Sequence, residues 1–188
     1  MISVDRDIEL RPVTRGDCEE LYDAIDRNRA RLREWLPWAS RTFTKEELFD
    51  FLGQKEIENA SLAGLTTHIR FDGKICGAVE LHTINARHRN SSIGYWLDQA
   101  YEGRGIMTRA CRAILTQGFG TYGLHRIEIR CGTENDKSCG VPRRLGFVEE
   151  GTLREAEWVF DRWVDLRVFS MLAQDWHGAV AQPETSSS

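Results

Sequence analysis

No apolar run in this sequence approaches the roughly 20 residues that a helix needs to cross a bilayer core. The opening residues, MISVDRDIEL, lack the basic end and continuous apolar stretch of a secretory signal, so the cytoplasm is the expected setting. Basic charge is not in excess either. The 29 acidic side chains outnumber the 25 basic ones and give a formal charge of −4. That balance argues against a general binder of phosphate backbones and suits a basic or amine-bearing partner better. The five cysteines (Cys18, Cys76, Cys111, Cys131 and Cys139) are an odd set without a CxxC pair or a Cys/His cluster at zinc spacing. Reduced, mostly buried thiols are expected, with no metal. The five histidines (His68, His82, His88, His125 and His177) show neither HExxH nor a triad pattern, and none receives a role.

What is present suffices for one domain: 188 residues, 41% of them apolar, can close one substantial core. The domain is expected over residues 1–175. Residues 176–188, ending AVAQPETSSS, are expected to form a flexible tail because they have little to bury.

Residues 8–11 alternate like a short strand, and Thr14 precedes an acidic, apolar-periodic helix over 17–25. Leu32, Trp35 and Leu36 share one face of a next helix, which Pro37 should end. Thr44 opens another, with Glu47 at capping-box spacing. Strands over 66–71 and 75–81 flank Asp72-Gly73 and predict a hairpin. A strand over 92–97 and a helix over 106–119 follow. Arg126 begins a strand to 130, residues 135–145 form a helix stopped at Gly146, and strands over 147–153 and 163–171 complete the set.

The segment IGYWLDQAYEGRGIMTRA places a strand, a turn and two close glycines immediately before a helix. Glycines let backbone approach an anion, and the first helical N–H groups lack internal partners, so a pyrophosphate is the natural guest. A dinucleotide fingerprint is incomplete, because Thr108 stands where its third glycine belongs. A P-loop would need Gly-Lys-Ser/Thr where Ile106-Met107-Thr108 stands.

In this order the segments resemble the GCN5-related N-acetyltransferases, and within them the branch that acetylates ribosomal-protein N-termini. YEGRGIMT, from Tyr101, resembles the family's coenzyme A pyrophosphate loop. Glu134-Asn135-Asp136-Lys137-Ser138 with Arg143-Arg144-Leu145-Gly146-Phe147 resembles its asparagine-serine helix start and terminal Leu-Gly-Phe. Arg154-Glu155-Ala156-Glu157-Trp158, Asp161-Arg162-Trp163-Val164-Asp165 and the early RNRARLREWLPW resemble the ribosomal-protein branch. The likeness spans residues 8–173. Three positions depart from the family: Glu102 and Met107 within the loop, and Phe169 where many relatives carry a tyrosine that protonates the leaving thiolate.

The resemblance implies an α/β fold: a central mixed, mostly antiparallel sheet that splays after Leu97 at the coenzyme site, with helices on both faces. It implies acetyl-CoA as cosubstrate, no metal, and a homodimer. By resemblance Leu97 offers a backbone N–H to the thioester oxygen, and Gly103, Arg104, Gly105, Ile106, Met107 and Thr108 hold the pyrophosphate. Asn135 holds the pantetheine arm, Ser138 lies near the sulfur as acid, and Glu157 is the candidate base, acting through a water. Ser138 also reads as a helix cap, and Glu157 as a solvated strand carboxylate. Trp35, Trp38, Trp158 and Tyr95 are candidates for an acceptor groove, although such residues are more often core or interface. An α-amine titrates near 8 and lysine near 10.4, so neutralising lysine costs about 3 kcal/mol more, and a modest base suits a protein N-terminus. A small amine (polyamine, antibiotic or aminoacyl nucleotide) remains an alternative acceptor, as does a coenzyme A-binding sensor without turnover. Nucleic-acid binding ranks last.

Overall fold

The computed structural model describes residues 1–41 and 43–178. Eight strands form one sheet: β1 (Ile2–Ser3), β2 (Ile8–Pro12), β3 (Leu65–Phe71), β4 (Lys74–Asn85), β5 (Asn90–Leu97), β6 (Arg126–Gly132), β7 (Val148–Val159) and β8 (Arg162–Leu172). Five helices accompany them: α1 (Cys18–Asp26), α2 (Arg29–Leu32), α3 (Lys45–Ala60), α4 (Ile106–Phe119) and α5 (Asp136–Leu145). The spatial order is β1-β2-β3-β4-β5-β6-β8-β7, and only the β5–β6 pair is parallel. No helix among the described residues is long and apolar enough to cross a membrane.

Local chemistry accounts for the element ends. At α3 the Glu47 N–H donates to Thr44 Oγ1 at 3.2 Å, and Glu47 Oε2 accepts from the Thr44 N–H at 2.8 Å: the capping box expected there. Asp72 and Gly73 both take positive φ, which matches a two-residue turn to the twist of β3 and β4. Gly146, at φ +80°, stops α5 in the left-handed conformation.

Helices cover both faces of the sheet. Ile69, Val79, Leu81, Ile93, Ile127 and Ile129 bury against α4 and α5, whereas Val13 and Ile75 pack with α1, α2 and α3. All five cysteines are buried free thiols. Trp176, at the start of the expected tail, packs on Phe119 with ring centroids 6.1 Å apart. The tail from residue 179 lies outside the described residues.

Two expectations are corrected. The helix carrying Leu32 does not reach Trp35 or Leu36: α2 ends at Leu32, and Leu36 is extended (φ −120°, ψ 112°) because the ring of Pro37 disfavours helical geometry before it. Pro37 then opens a 3-10 turn, Pro37–Ser40. The sheet also splays earlier than Leu97. Parallel pairing of β5 with β6 covers only Asn90, Ser91 and Ser92 against Arg126, Ile127 and Glu128, so the strands have parted before Leu97 is reached.

Candidate active site

The parting of β5 from β6 opens a cleft of about 1720 Å³. Leu97, Gly103, Gly105, Ile106, Met107, Thr108, Asn135, Ser138 and Glu157 all line it. Arg104 does not: its guanidinium turns to the rings of Phe71 and Tyr101, 5.7 and 5.6 Å from their centroids. Its backbone remains in the loop.

Backbone builds one wall. Gly103 and Gly105 take φ of +75° and +69°, a conformation that costs other L-residues about 1–2 kcal/mol, and a Cβ at either would meet nothing within 4 Å. Gly105 caps α4 without a side-chain acceptor, so the first helical N–H groups stay open at the positive end of the dipole. Ile106 and Met107 turn their side chains into the core, which is why Met107 leaves the loop's outer face free. Glu102 ties the neighbouring elements together: its carboxylate meets Arg31 at 2.5 Å and Lys137 at 2.7 Å.

Strand geometry aims the Leu97 amide. A Cβ on Gly77 would collide with the Trp96 carbonyl oxygen, so that carbonyl points toward β4. Because the peptide is planar and trans, the Leu97 N–H on the same unit points the opposite way, into the gap. The next unit is reversed, as alternation along a strand requires. The Asp98 N–H donates to Cys76 O at 2.7 Å on β4, while the Leu97 carbonyl faces the cleft and accepts from the Arg31 guanidinium.

Asn135 is the N-cap of α5, its Oδ1 accepting from the Ser138 N–H at 3.1 Å. Ser138 is held by side-chain contacts as well. Its Oγ donates to Tyr95 Oη at 3.2 Å and lies 3.3 Å from Cys131 Sγ, and the Tyr95 hydroxyl donates to the Ser138 carbonyl at 2.9 Å. Burial raises the Tyr95 phenol well above its ordinary value, so it stays protonated. Phe169 is fully buried on β8 and faces the core. A phenol therefore does border the cleft, but from β5. Sequence spacing does not show that Tyr95 and Ser138 meet, since they lie 43 residues apart on elements joined only by the fold.

The opposite wall is built from side chains. Trp35 lies on Gly132, where a Cβ would come within 2.9 Å of the indole, and Trp35 and Trp38 line the cleft. Trp158 does not; it is exposed and packs edge-on against Trp163 at 5.3 Å. Glu157 sits half-buried opposite Val164, and its carboxylate has no hydrogen-bond or ion-pair partner among the described residues. Burial raises its pKa, and the charge of Arg130 only partly opposes this. Arg31 and Glu102 complete the cleft; the sequence gives no sign of Arg31's part, because an arginine-rich helix carries no signal for which guanidinium turns inward. No group of three His, Cys, Asp or Glu among the described residues is placed to hold a metal ion.

A splayed α/β sheet with an open helix N-terminus on one wall and an unpaired carboxylate on the other has the form of an acyl-transfer site. Residues 7–148 match the acetyltransferase (GNAT) domain. The chain is 34% identical over 180 residues to YdaF of Bacillus subtilis (strain 168), a candidate ribosomal N-acetyltransferase, covering 93% of this chain and 96% of that one. It is 27% identical over 172 residues to the ribosomal-protein-serine acetyltransferase of Escherichia coli (strain K12), covering 91% and 96%. The crystal structure of the microcin C7 self immunity acetyltransferase MccE, in complex with acetyl-CoA and AMP, superimposes with a TM-score of 0.84 at 30% identity, covering 90% of this chain and 94% of that one. The chain belongs to the GNAT family of acetyl-CoA-dependent N-acetyltransferases.

Proposed function

We propose that this enzyme acetylates the N-terminal α-amine of a protein, and of a ribosomal protein in particular. The observation that carries this reading is Glu157: an unpaired, half-buried carboxylate across one cleft from the open N-terminus of α4. The names of the two full-length relatives support the ribosomal acceptor.

In this reading the N–H groups of the loop 103–108 hold the coenzyme pyrophosphate, for which two glycines at positive φ leave room. The Asn135 side-chain amide holds the pantetheine arm. The Leu97 N–H, aimed into the gap, stabilises the charge that develops on the thioester oxygen. Glu157 takes the proton of the attacking amine through a water as the N–C bond forms. Ser138 gives its proton to the departing sulfur as the C–S bond breaks. A carboxylate held above its ordinary value is a better-matched base for an α-amine than an exposed one. We include in the proposal a single catalytic domain over residues 1–175, a cytoplasmic setting and a homodimer; sedimentation of the purified chain tests the last.

The test is thiol release from acetyl-CoA across peptides with serine or alanine N-termini, spermidine, an aminoglycoside and an aminoacyl adenylate analogue, with mass spectrometry locating the acetyl group. Acetylation of the peptide α-amine is expected. Turnover confined to the nucleotide-linked amine would replace this reading with that of a small-molecule acceptor, which the AMP bound in the MccE structure favours. Acetyl-CoA binding without any transfer would leave a coenzyme A sensor.

A further inference from the structure

Glu157 occupies a place that a regular strand would not give it. Leu153 pairs with Leu166, but the next pairing toward the hairpin is Glu157 with Val164. Between these pairs β7 spends three residues, Arg154, Glu155 and Ala156, where β8 spends one, Asp165. The excess is two residues, so Glu157 stays on the same face as Leu153 and opposite Val164, the face that looks into the cleft.

Such a bulge needs a fastening, because its extra residues leave the ladder. Glu155 sits at φ +45°, a left-handed conformation that L-residues other than asparagine and aspartate seldom hold. Its N–H donates to Asp165 Oδ1 at 2.7 Å, and this side chain is the acceptor that replaces the missing strand partner. Asp165 also reaches the other wall: its backbone carbonyl accepts from the Thr133 N–H at 2.9 Å, and the Asn135 N–H donates to Gly132 O at 2.9 Å in the turn that leads into α5. One residue thus links the bulge carrying Glu157 to the segment carrying Asn135 and Ser138.

We infer, building on the assignment of Glu157 as the base, that Asp165 is a positioning residue whose side chain fixes the Glu157 carboxylate relative to Ser138. Asp165 touches neither reactant. It acts through the Glu155 amide, and what this requires is an acceptor oxygen at Oδ1 and not a negative charge.

That distinction supplies the test, made on the full chain with acetyl-CoA and a serine-terminated peptide. Asp165→Ala is expected to lower kcat about 10- to 100-fold, the range that an ångström-scale misplacement produces, with acetyl-CoA affinity within twofold of the parent. Asp165→Asn, which keeps the acceptor oxygen, is expected to recover kcat to within about threefold. A parental kcat in Asp165→Ala, or an Asp165→Asn as slow as Asp165→Ala, overturns the inference. Should Asp165→Ala fail to fold, amide exchange in the unaltered protein decides. Protection of the Glu155 N–H is expected, and exchange at the rate of a free amide sinks the idea. Glu157→Gln separates the two levels. If that variant keeps full kcat, the base assignment falls; if it is slow while Asp165→Ala is not, only the positioning role falls.

Discussion

The two walls of the cleft are made of different material. The wall proposed to hold the coenzyme is six consecutive residues, 103–108, that present backbone N–H groups, with Ile106 and Met107 buried in the core and Arg104 turned outward. The opposite wall, proposed to take the acceptor, gathers Trp35, Gly132 and Glu157 from three segments and depends on side chains whose facing is set by strand register. The difference teaches what each can tolerate. A backbone cradle accepts Glu102 and Met107 in place of the family's usual residues but admits no Cβ at positive φ without strain. On the proposed mechanism the side-chain wall admits no change of Glu157, while its backbone carries a bulge.

The largest expected effect breaks the first wall. Gly105→Asp puts a side chain and a negative charge beside the proposed anion site, so acetyl-CoA affinity should fall about 100-fold or more by calorimetry. Parental affinity would show that the loop does not hold the pyrophosphate. Glu157→Gln should do the opposite, lowering kcat about 100-fold while leaving acetyl-CoA affinity within twofold.

The pH dependence of that second wall has a definite sign. As the proposed base Glu157 must be ionised, so kcat/KM should climb with pH through a carboxylate value above the ordinary one, and Glu157→Gln should lose this limb. Stability runs the other way. A folded-state pKa raised by burial means that the ionised carboxylate costs stability above that value, and the cost disappears as pH falls through it. Differential scanning calorimetry at pH 7 should therefore place the melting temperature of Glu157→Gln about 1 °C above the parent's, with the gap closing in acid.

A smaller effect tests the link between the walls. Tyr95→Phe removes the hydroxyl that holds Ser138 and should lower kcat about three- to tenfold, the worth of one hydrogen bond of about 1 kcal/mol, without altering acceptor KM. The smallest concerns the other irregularity of β7, where Glu150 is the extra residue between Glu149 and Gly151. Arg126 and, secondarily, Ser170 hold its carboxyl down to about 2. Its contribution is present above the ordinary carboxylate value and is lost as pH falls through about 2. Unfolding free energies of Glu150→Gln and the parent from urea titration should differ at pH 7, by less than about 1 kcal/mol for so exposed a pair, and converge near pH 2.

The same contrast explains what the sequence made legible. The helix α4, the cap at Thr44 and the stop at Gly146 are local signals and lie where spacing puts them, whereas the cap of α5 is Asn135 and not Ser138, which sits inside the helix. The length of β7 was not legible beyond residue 153. It is an edge strand exposed on both faces, so the run EEGTLREAEW shows no alternation to read. The end of α2 is not legible either, because the apolar spacing at Leu32, Trp35 and Leu36 imitates a helix face that the constraint of Pro37 on its predecessor does not allow. Glu157 entered through resemblance alone, and nothing in its neighbourhood of the sequence reveals that Asp165 faces Glu155 across a hairpin. Arg31 and Tyr95 likewise acquire their partners only from the parting of β5 and β6.

The β7 bulge has a consequence for how this hairpin can change length. Residues opposite each other across a ladder share a face, so the carboxylate looks inward for as long as position 157 stays paired with Val164, whatever the number of unpaired residues before it. The same strand already absorbs Glu150 singly between Glu149 and Gly151. The bulge is therefore an expansion joint: length variants confined to residues 154–156 should keep the carboxylate in the cleft, and those beyond Glu157 should not.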